Sequence, residues 1–100
     1  MSVISNLSDN NDMLNISVSG RFDFHVVKEF RASYSEAEES TSGVVLDFRD
    51  VSYMDSSALG MLLNMNKYFK EQAKISIINC RPEIKKVLLI SKFDQKFSIR

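Results

Sequence analysis

The apolar run from Val44 to Phe48 places the strongest constraint on how this chain can fold. Nearly continuous apolar runs of this length are typical of parallel strands that are buried on both faces. After a short acidic loop, a helix is predicted to begin near Ser56. A buried strand followed by a helix is the repeating unit of α/β folds, in which the crossover to the next parallel strand is right-handed. The chain is therefore expected to be an α/β protein.

The segment before this run predicts two more strands and a helix. Leu14, Ile16 and Val18 alternate with polar residues, which favours a half-buried strand, and residues 3–7 could pair with it across a polar turn. Gly20 is expected to close this hairpin, and Asp23 is a suitable N-cap for the first helix. The inward stripe of that helix is predicted to be Val27, Phe30, Tyr34 and Ala37.

The segment after the apolar run continues the alternation of helices and strands. The inner face of the second helix is predicted to carry Leu59, Leu62, Leu63, Asn66, Phe69 and Ala73. A strand at 75–79, a third helix from Pro82 and a last strand at 97–99 follow. The order β-β-α-β-α-β-α-β predicts one domain over residues 1–100, with helices packed on a mixed sheet of four to five strands.

Composition narrows the classes of function. The 13 basic and 13 acidic residues balance, so no net charge favours nucleic acid or an anionic membrane. The lone Cys80 excludes an internal disulfide, and the lone His25 leaves zinc and haem without their usual ligands. There is no apolar run of about 18 residues and no secretory signal pattern. We expect a cytoplasmic protein without metal, cofactor, nucleic acid or membrane insertion.

The pair Ser56 and Ser57 is the candidate functional feature. Both hydroxyls lie at the start of the second helix, where backbone N–H groups and the helix dipole favour a negative group. A phosphate there would be tolerated locally and would change the charge of the surrounding surface. Helix capping is the plainer role for a serine in this position. The residues alone leave both interpretations open.

Several other residues are predicted to surround this pair. If their strands are parallel and adjacent, Asp23 and Asp55 flank one crevice at the carboxyl ends of the strands. The outer face of the second helix is predicted to carry Ser57, Gly60, Met61, Asn64 and Tyr68. Gly60 removes a side chain there and lets another backbone approach. Met61 and Tyr68 would either bind a partner or be covered by loops of the chain itself.

The segment Asp55-Ser56-Ser57-Ala58-Leu59-Gly60, preceded by a V-V-L-D strand, resembles the signature of STAS domains, the bacterial anti-sigma-factor antagonist family. Residues 20–23 resemble the family's Gly-x-Leu/Ile-Asp motif, and residues 79–82 resemble its last strand-to-helix turn. The resemblance implies a signalling regulator of transcription that is not an enzyme. Its unphosphorylated form would bind a partner, and phosphorylation of Ser56 would release it.

The same resemblance implies the partners. One is a serine kinase of the anti-sigma type with a histidine-kinase-like ATP-binding fold, and the other is a PP2C-type phosphatase that reverses the modification. Ser57 is the alternative phosphorylation site, because it has the same chemistry one residue later. The partner-binding surface would then comprise Asp23, Asp55, Ser57, Gly60, Met61, Asn64 and Tyr68.

Three positions depart from the family pattern. Ala58 replaces a frequent glycine, and Gln72-Ala73 replaces a common Gly-Gly; neither affects the serine pair. Lys92-Phe93 stands where a Gly-Leu pair usually ends the third helix. Lys92 must therefore adopt a left-handed conformation, or the helix must end differently.

Two other functions compete with the regulator. A nucleophilic role for Ser56 is disfavoured, because His25 is the one histidine and there is no Gly-x-Ser-x-Gly elbow. A non-phosphorylated STAS subunit of a membrane transport or sensory assembly would keep the fold without the regulation.

Overall fold

A five-stranded mixed sheet organises the chain. The computed structural model describes residues 2–7, 12–35, 41–70 and 73–100. The strands lie side by side in the order of the sequence: β1 Ser2–Leu7, β2 Met13–Phe22, β3 Gly43–Met54, β4 Lys74–Ile78 and β5 Ser98–Ile99. β1 is antiparallel to β2, whereas β2 to β5 are mutually parallel. The predicted α/β fold with a mixed sheet is confirmed.

Three α-helices connect the parallel strands. They are α1 Val27–Tyr34, α2 Ser56–Tyr68 and α3 Pro82–Ile90. Short 3-10 helices at Phe24–Val26 and Phe93–Gln95 precede α1 and β5. The predicted order of elements is therefore confirmed, while the polar turn after β1 and the stripe residue Ala37 lie outside the described residues.

The core lies between one face of the sheet and the helices. Alternate residues of the three central strands are buried on that face: Leu14, Ile16, Val18, Val44, Leu46, Phe48, Ile75 and Ile77. The helices cover them with Phe30, Tyr34, Ala58, Met61, Leu62, Met65, Ile84 and Leu88. Each large apolar side chain buried in this way stabilises the fold by about 1.5–3 kcal/mol relative to an exposed one. The opposite face is more open, with Asn15 and Ser17 exposed to solvent.

Strand β3 is much longer than the predicted segment 44–48, because its second half pairs with β2 through two irregularities. The register shifts between Ser17 and Ser19 and again between Gly20 and Arg21, and each shift gives β3 one extra residue. The buried positions of β3 are consequently three residues apart, at Phe48, Val51 and Met54. The prediction that Gly20 closes a hairpin is wrong, because Gly20 lies within β2. Its φ of 81° is a conformation that suits glycine at such an irregularity.

The start of α1 and the end of α3 test two further predictions. The 3-10 helix before α1 shifts the helical phase, so that Val26 is buried and Val27, predicted to point inward, is exposed. After α3, Lys92 adopts the left-handed conformation, with φ 60° and ψ 31°. This confirms the first of the two conformations considered for that position. The chain then turns so that the rings of Phe93 and Phe97 stack in the core, 5.5 Å apart.

Candidate functional site

Strands β2 and β3 end together at one edge of the sheet. Phe22 is paired in register with Met54, and in each strand the next residue is an aspartate. Asp23 and Asp55 have similar extended conformations, with φ and ψ of −139° and −171° for Asp23 and −123° and −173° for Asp55. Each caps the helical segment that follows. The predicted placement of both carboxylates at the carboxyl ends of adjacent parallel strands is confirmed.

The carboxylate of Asp55 fixes the first turn of α2. Its Oδ1 atom accepts hydrogen bonds from the backbone N–H groups of Ser57, at 3.0 Å, and Ala58, at 3.3 Å. The Ser57 hydroxyl donates to the same oxygen at 2.5 Å. The Ser57 N–H thereby gains an acceptor, and the Ala58 N–H is shared between this carboxylate and the backbone carbonyl of Asp55 at 3.1 Å, which is the usual geometry of an N-cap. The side chain of Ser57 is therefore engaged in the cap, and Ser57 is half-buried.

Ser56 differs from its neighbour in exposure. It is the first residue of α2 and is exposed to solvent. Its hydroxyl makes no hydrogen bond to any part of the chain that the structure describes, and no acidic side chain lies within the first turn of α2. A negative group on this hydroxyl would be favoured by the positive end of the helix dipole. Of the two serines, Ser56 has the freer hydroxyl.

Asp23 is the more deeply buried of the two capping aspartates, at 6% exposure. Its Oδ1 atom accepts from the backbone N–H of His25 at 3.0 Å and contacts Nδ1 of the same residue at 3.1 Å. Its Oδ2 atom accepts from Nε of Arg21 at 3.4 Å. Burial raises the pKa of the Asp23 carboxyl, but the hydrogen bonds and charge of His25 and Arg21 outweigh burial and lower the pKa below its ordinary value.

Two aromatic side chains extend the cluster around Asp23. The guanidinium of Arg21 lies over the ring of Tyr53, 4.0 Å from its centre, and the ring of Phe24 stacks on His25 at 4.1 Å. Sequence reasoning missed all of these contacts. The adjacency of Phe24 and His25 was a usable signal, whereas the pairing of Arg21 with Tyr53 depends on the irregular register of β3.

The predicted outer face of α2 is only partly exposed. Asn64 and Gly60 lie at the surface, and a Cβ atom built on Gly60 would meet no heavy atom within 4 Å. Met61 does not lie on an outer face: it is 6% exposed, because α1 packs across this side of α2. Of the two alternatives for Met61, covering by the chain itself therefore holds, although a helix covers it instead of a loop. A helical wheel cannot show which side of α2 its neighbour will occupy.

Tyr68 lies at the far end of α2 and contacts the end of α1. Its hydroxyl donates to the carbonyl oxygen of Ser35 at 2.7 Å, and its ring packs 5.1 Å from the rings of both Tyr34 and Phe69. Twelve residues of helix separate it from Ser56, which corresponds to about 18 Å. Tyr68 thus joins α1 to α2, and a partner-binding role for it stays a prediction.

The remaining candidates behave as ordinary structural residues. His25 is exposed and Asn66 is buried, as predicted. Cys80 is half-buried, and burial raises the pKa of its thiol to about 11, so that the reactive thiolate is scarce near neutral pH. Within the described ranges, three or more histidine, cysteine or acidic side chains nowhere gather in a group that could hold a metal ion. No helix in those ranges is long and apolar enough to cross a membrane.

Comparison with known families identifies the chain. The model of the STAS domain family matches residues 5–100. A STAS-domain containing protein of Pseudomonas aeruginosa (strain UCBPP-PA14) is 45% identical over 87 residues, which is 86% of each chain. The chain therefore belongs to the STAS domain family, which confirms the resemblance noted at residues 55–60.

Solved structures of this fold superpose on nearly the whole chain. The anti-sigma factor antagonist SpoIIAA in its unphosphorylated form matches with a TM-score of 0.76 at 22% identity, covering 99% of this chain and 87% of that one. The phosphorylated form of Bacillus SpoIIAA gives 0.74 at 22% identity, with 99% and 91% covered. An anti-sigma-factor antagonist (STAS) domain protein from Planctomyces limnophilus gives 0.78 at 18% identity, with 99% and 89% covered. At these identities the likeness establishes the fold.

Proposed function

We propose that this STAS domain is a protein-binding regulator that phosphorylation of Ser56 switches off. The observation that carries the proposal is the difference between the two serines. Ser56 is exposed with a free hydroxyl, as a kinase substrate must be, whereas the Ser57 hydroxyl donates to Asp55 within the helix cap. Phosphorylation of Ser57 would break that hydrogen bond and place the phosphate against a carboxylate.

The charge of a phosphate explains why binding would be lost while the fold is kept. A phosphoserine carries about −1.5 to −2 charges at neutral pH. At the first residue of α2 the helix dipole favours this charge, so the domain itself is not destabilised. A partner lying over Ser56 would instead have to bury an unpaired charge beside Asp55, and a buried charge without a partner costs several kcal/mol. The complex would therefore dissociate.

The proposed partners follow from the likeness to anti-sigma factor antagonists. SpoIIAA is named as such an antagonist, and its structures include a phosphorylated form. By analogy, the unphosphorylated chain binds a serine kinase of the anti-sigma type with a histidine-kinase-like ATPase fold. A PP2C-type phosphatase restores the binding form. In this role the protein acts in the cytoplasm as a regulator of transcription rather than as an enzyme.

Variants of Ser56 test the proposal by capture of partners from the native cells. Tagged Ser56→Ala, Ser56→Asp and wild-type chains would be purified, and the proteins retained on each would be quantified by mass spectrometry. Ser56→Ala should retain the kinase-like partner, and Ser56→Asp should retain about tenfold less or lower still. Ser91→Asp, a charge added at an exposed serine after α3, is the matched control and should bind as the wild type does. Equal retention by Ser56→Ala and Ser56→Asp, at unchanged melting temperatures, would rule the proposal out.

A further inference from the structure

A continuous series of contacts connects two exposed aromatic rings across the edge that carries Ser56. Phe24 stacks on His25, His25 contacts the carboxylate of Asp23, Asp23 accepts from Arg21, and Arg21 lies over Tyr53. These five residues are here called the aromatic edge. Phe24 is 63% exposed and Tyr53 39% exposed, while the Asp23 at the centre of the series is buried.

Contacts within the aromatic edge fix the orientation of Phe24 and Tyr53, although these two side chains contribute little to the core. An exposed ring that is already ordered loses less conformational freedom when a partner covers it, so more of its apolar burial is available as binding free energy. Phenylalanine, tyrosine and arginine are also the residue types in which large contributions to binding concentrate. Ile90 in α3 is more exposed, at 71%, but its aliphatic side chain has no ring or polar atom that could make contacts of this kind. The aromatic edge differs from such a position in its residue types and in the ring, cation–π and hydrogen-bond contacts that they make.

The arrangement also changes the role expected of Asp23. Both of its carboxylate oxygens already accept hydrogen bonds from this chain, and its side chain is buried. A partner would reach Phe24 and Tyr53 before it reached this carboxylate. Asp23 is thus a positioning residue that holds Arg21 against the ring of Tyr53 and His25 against the ring of Phe24.

The aromatic edge is continuous with the surface around Ser56. Tyr53 precedes Ser56 by three residues, so their Cα atoms lie no more than about 10 Å apart. Phe24 directly follows Asp23, which lies beside Asp55 at the same edge of the sheet. A specific interface covers about 800 Å² of each partner. A partner of this size that covers Ser56 can therefore reach the aromatic edge within the same interface.

We propose that the aromatic edge supplies the affinity for the partner that Ser56 controls. The occupant is a folded protein surface with an apolar pocket that takes the ring of Phe24 and packs against Tyr53 at its border. This inference rests on the proposed function for the identity of the partner. It adds a division of roles, in which Phe24 and Tyr53 determine how tightly the partner binds and Ser56 determines whether it binds.

Calorimetry with the purified partner tests this division. The protein that Ser56→Ala captures and Ser56→Asp does not would be identified, produced and titrated with variants of the chain. Phe24→Ala should raise Kd by about tenfold and Tyr53→Ala by about threefold, while Phe24→Leu, which keeps an apolar side chain, should recover most of the affinity. Ile90→Ala, the matched removal of an exposed apolar side chain on α3, should leave Kd within about twofold. Phe24 and Ile90 are mostly exposed, so their variants should keep the wild-type melting temperature. Tyr53 contacts Arg21 within the sheet, so Tyr53→Ala is titrated well below its own melting temperature.

The outcomes separate the inference from the function on which it rests. Release of the partner by Ser56→Asp together with unchanged binding of Phe24→Ala would overturn the role of the aromatic edge and leave the proposed function intact. Equal binding of Ser56→Ala and Ser56→Asp would defeat the proposed function, whatever Phe24 does. A change in self-association of Phe24→Ala, seen by sedimentation without any change in partner affinity, would assign this surface to a second copy of the chain and overturn the inference.

Discussion

The two strand-to-helix junctions at the sheet edge share one backbone design but use it differently. Each strand ends in a buried apolar residue, Phe22 or Met54, followed by an extended aspartate that caps the next helical segment. At the first junction the carboxylate of Asp23 is occupied largely by side chains, which extend outward to exposed rings. At the second, Asp55 binds the backbone and hydroxyl of its own helix.

This difference shows how one local motif can serve two purposes. A capping aspartate that also binds side chains fixes the surface around it, as at Asp23. A capping aspartate that binds only within its own helix leaves the hydroxyl of the next residue free, as Asp55 does for Ser56. The first junction is consequently suited to form a rigid contact surface, and the second to present a hydroxyl for modification.

The largest predicted effect is on the free energy of unfolding, and it differs between Phe22 and Met54, the last residues of β2 and β3. The ring of Phe22 is fully buried between Phe30 and Phe48, with ring centres 5.0 and 5.6 Å away. We expect Phe22→Ala to lower the free energy of unfolding by about 3–5 kcal/mol. Met54→Ala should lower it by about 2–3 kcal/mol, because Met54 is slightly exposed and its smaller side chain leaves a smaller cavity. Urea denaturation measures both; a larger loss for Met54→Ala would contradict the assignment of Phe22 to the centre of the core.

Removal of the two caps gives the next largest effect. Asp55→Ala should lower the free energy of unfolding by about 1–2 kcal/mol, because the N–H and hydroxyl of Ser57 lose their acceptor and the Ala58 N–H keeps only the backbone carbonyl of residue 55. Asp23→Ala should cost less than Asp55→Ala, because the Arg21 and His25 side chains that it releases are exposed and turn to water, which leaves the backbone N–H of His25 as the main loss.

Ser56→Ala provides the control for the cap variants. Its hydroxyl is free, so the change in stability should stay within about 0.5 kcal/mol. If Ser56→Ala were as destabilising as Asp55→Ala in the same denaturation series, Ser56 would be a structural residue and the contrast between the junctions would disappear.

The smallest predicted effect is a difference in acid stability. The pKa of Asp23 in the folded chain lies below the ordinary value of 3.8, because Arg21 and His25 bind the charged form. As pH falls, the Asp23 carboxylate is therefore protonated in the unfolded chain before it is protonated in the folded chain. The stability that Asp23 contributes is complete above pH 3.8 and is lost as pH falls through its folded pKa.

Asp23→Asn keeps the cap but has no charge to lose, so its deficit in melting temperature relative to the wild type should shrink below pH 3.8 in thermal melts. A deficit that stays constant down to pH 2 would show that the ion pairs contribute nothing.

Much of the fold could be predicted because strong local patterns agree with it. The alternation at Leu14, Ile16 and Val18, the run from Val44 and the capping aspartates each specify their element without help from the rest of the chain. The second half of β3 could not be predicted, because its two extra residues replace the period of two with a spacing of three. Burial of Met61 depended on where α1 would pack, and a helical wheel holds no information about that contact.

The candidate site, like the fold, has some features that the sequence predicts and others that it does not. Asp23, Asp55 and the serine pair lie where the sequence predicts, because N-cap chemistry is local and β2 and β3 are adjacent. The choice of Ser56 over Ser57 is supported by a hydrogen bond that a sequence does not display. The aromatic edge required both the sheet register and the orientation of the Arg21 side chain, so its residues were not found by pattern.

Phosphopeptide mapping of the chain from its native cells determines whether phosphorylation of Ser56 controls partner binding. The chain would be purified both free and in complex with its partner, and the site and extent of phosphorylation would be measured by tandem mass spectrometry in each fraction. We expect phosphate on Ser56 in the free fraction and unmodified Ser56 in the complex. Phosphate on Ser57, or a complex that retains chain phosphorylated at Ser56, would contradict it.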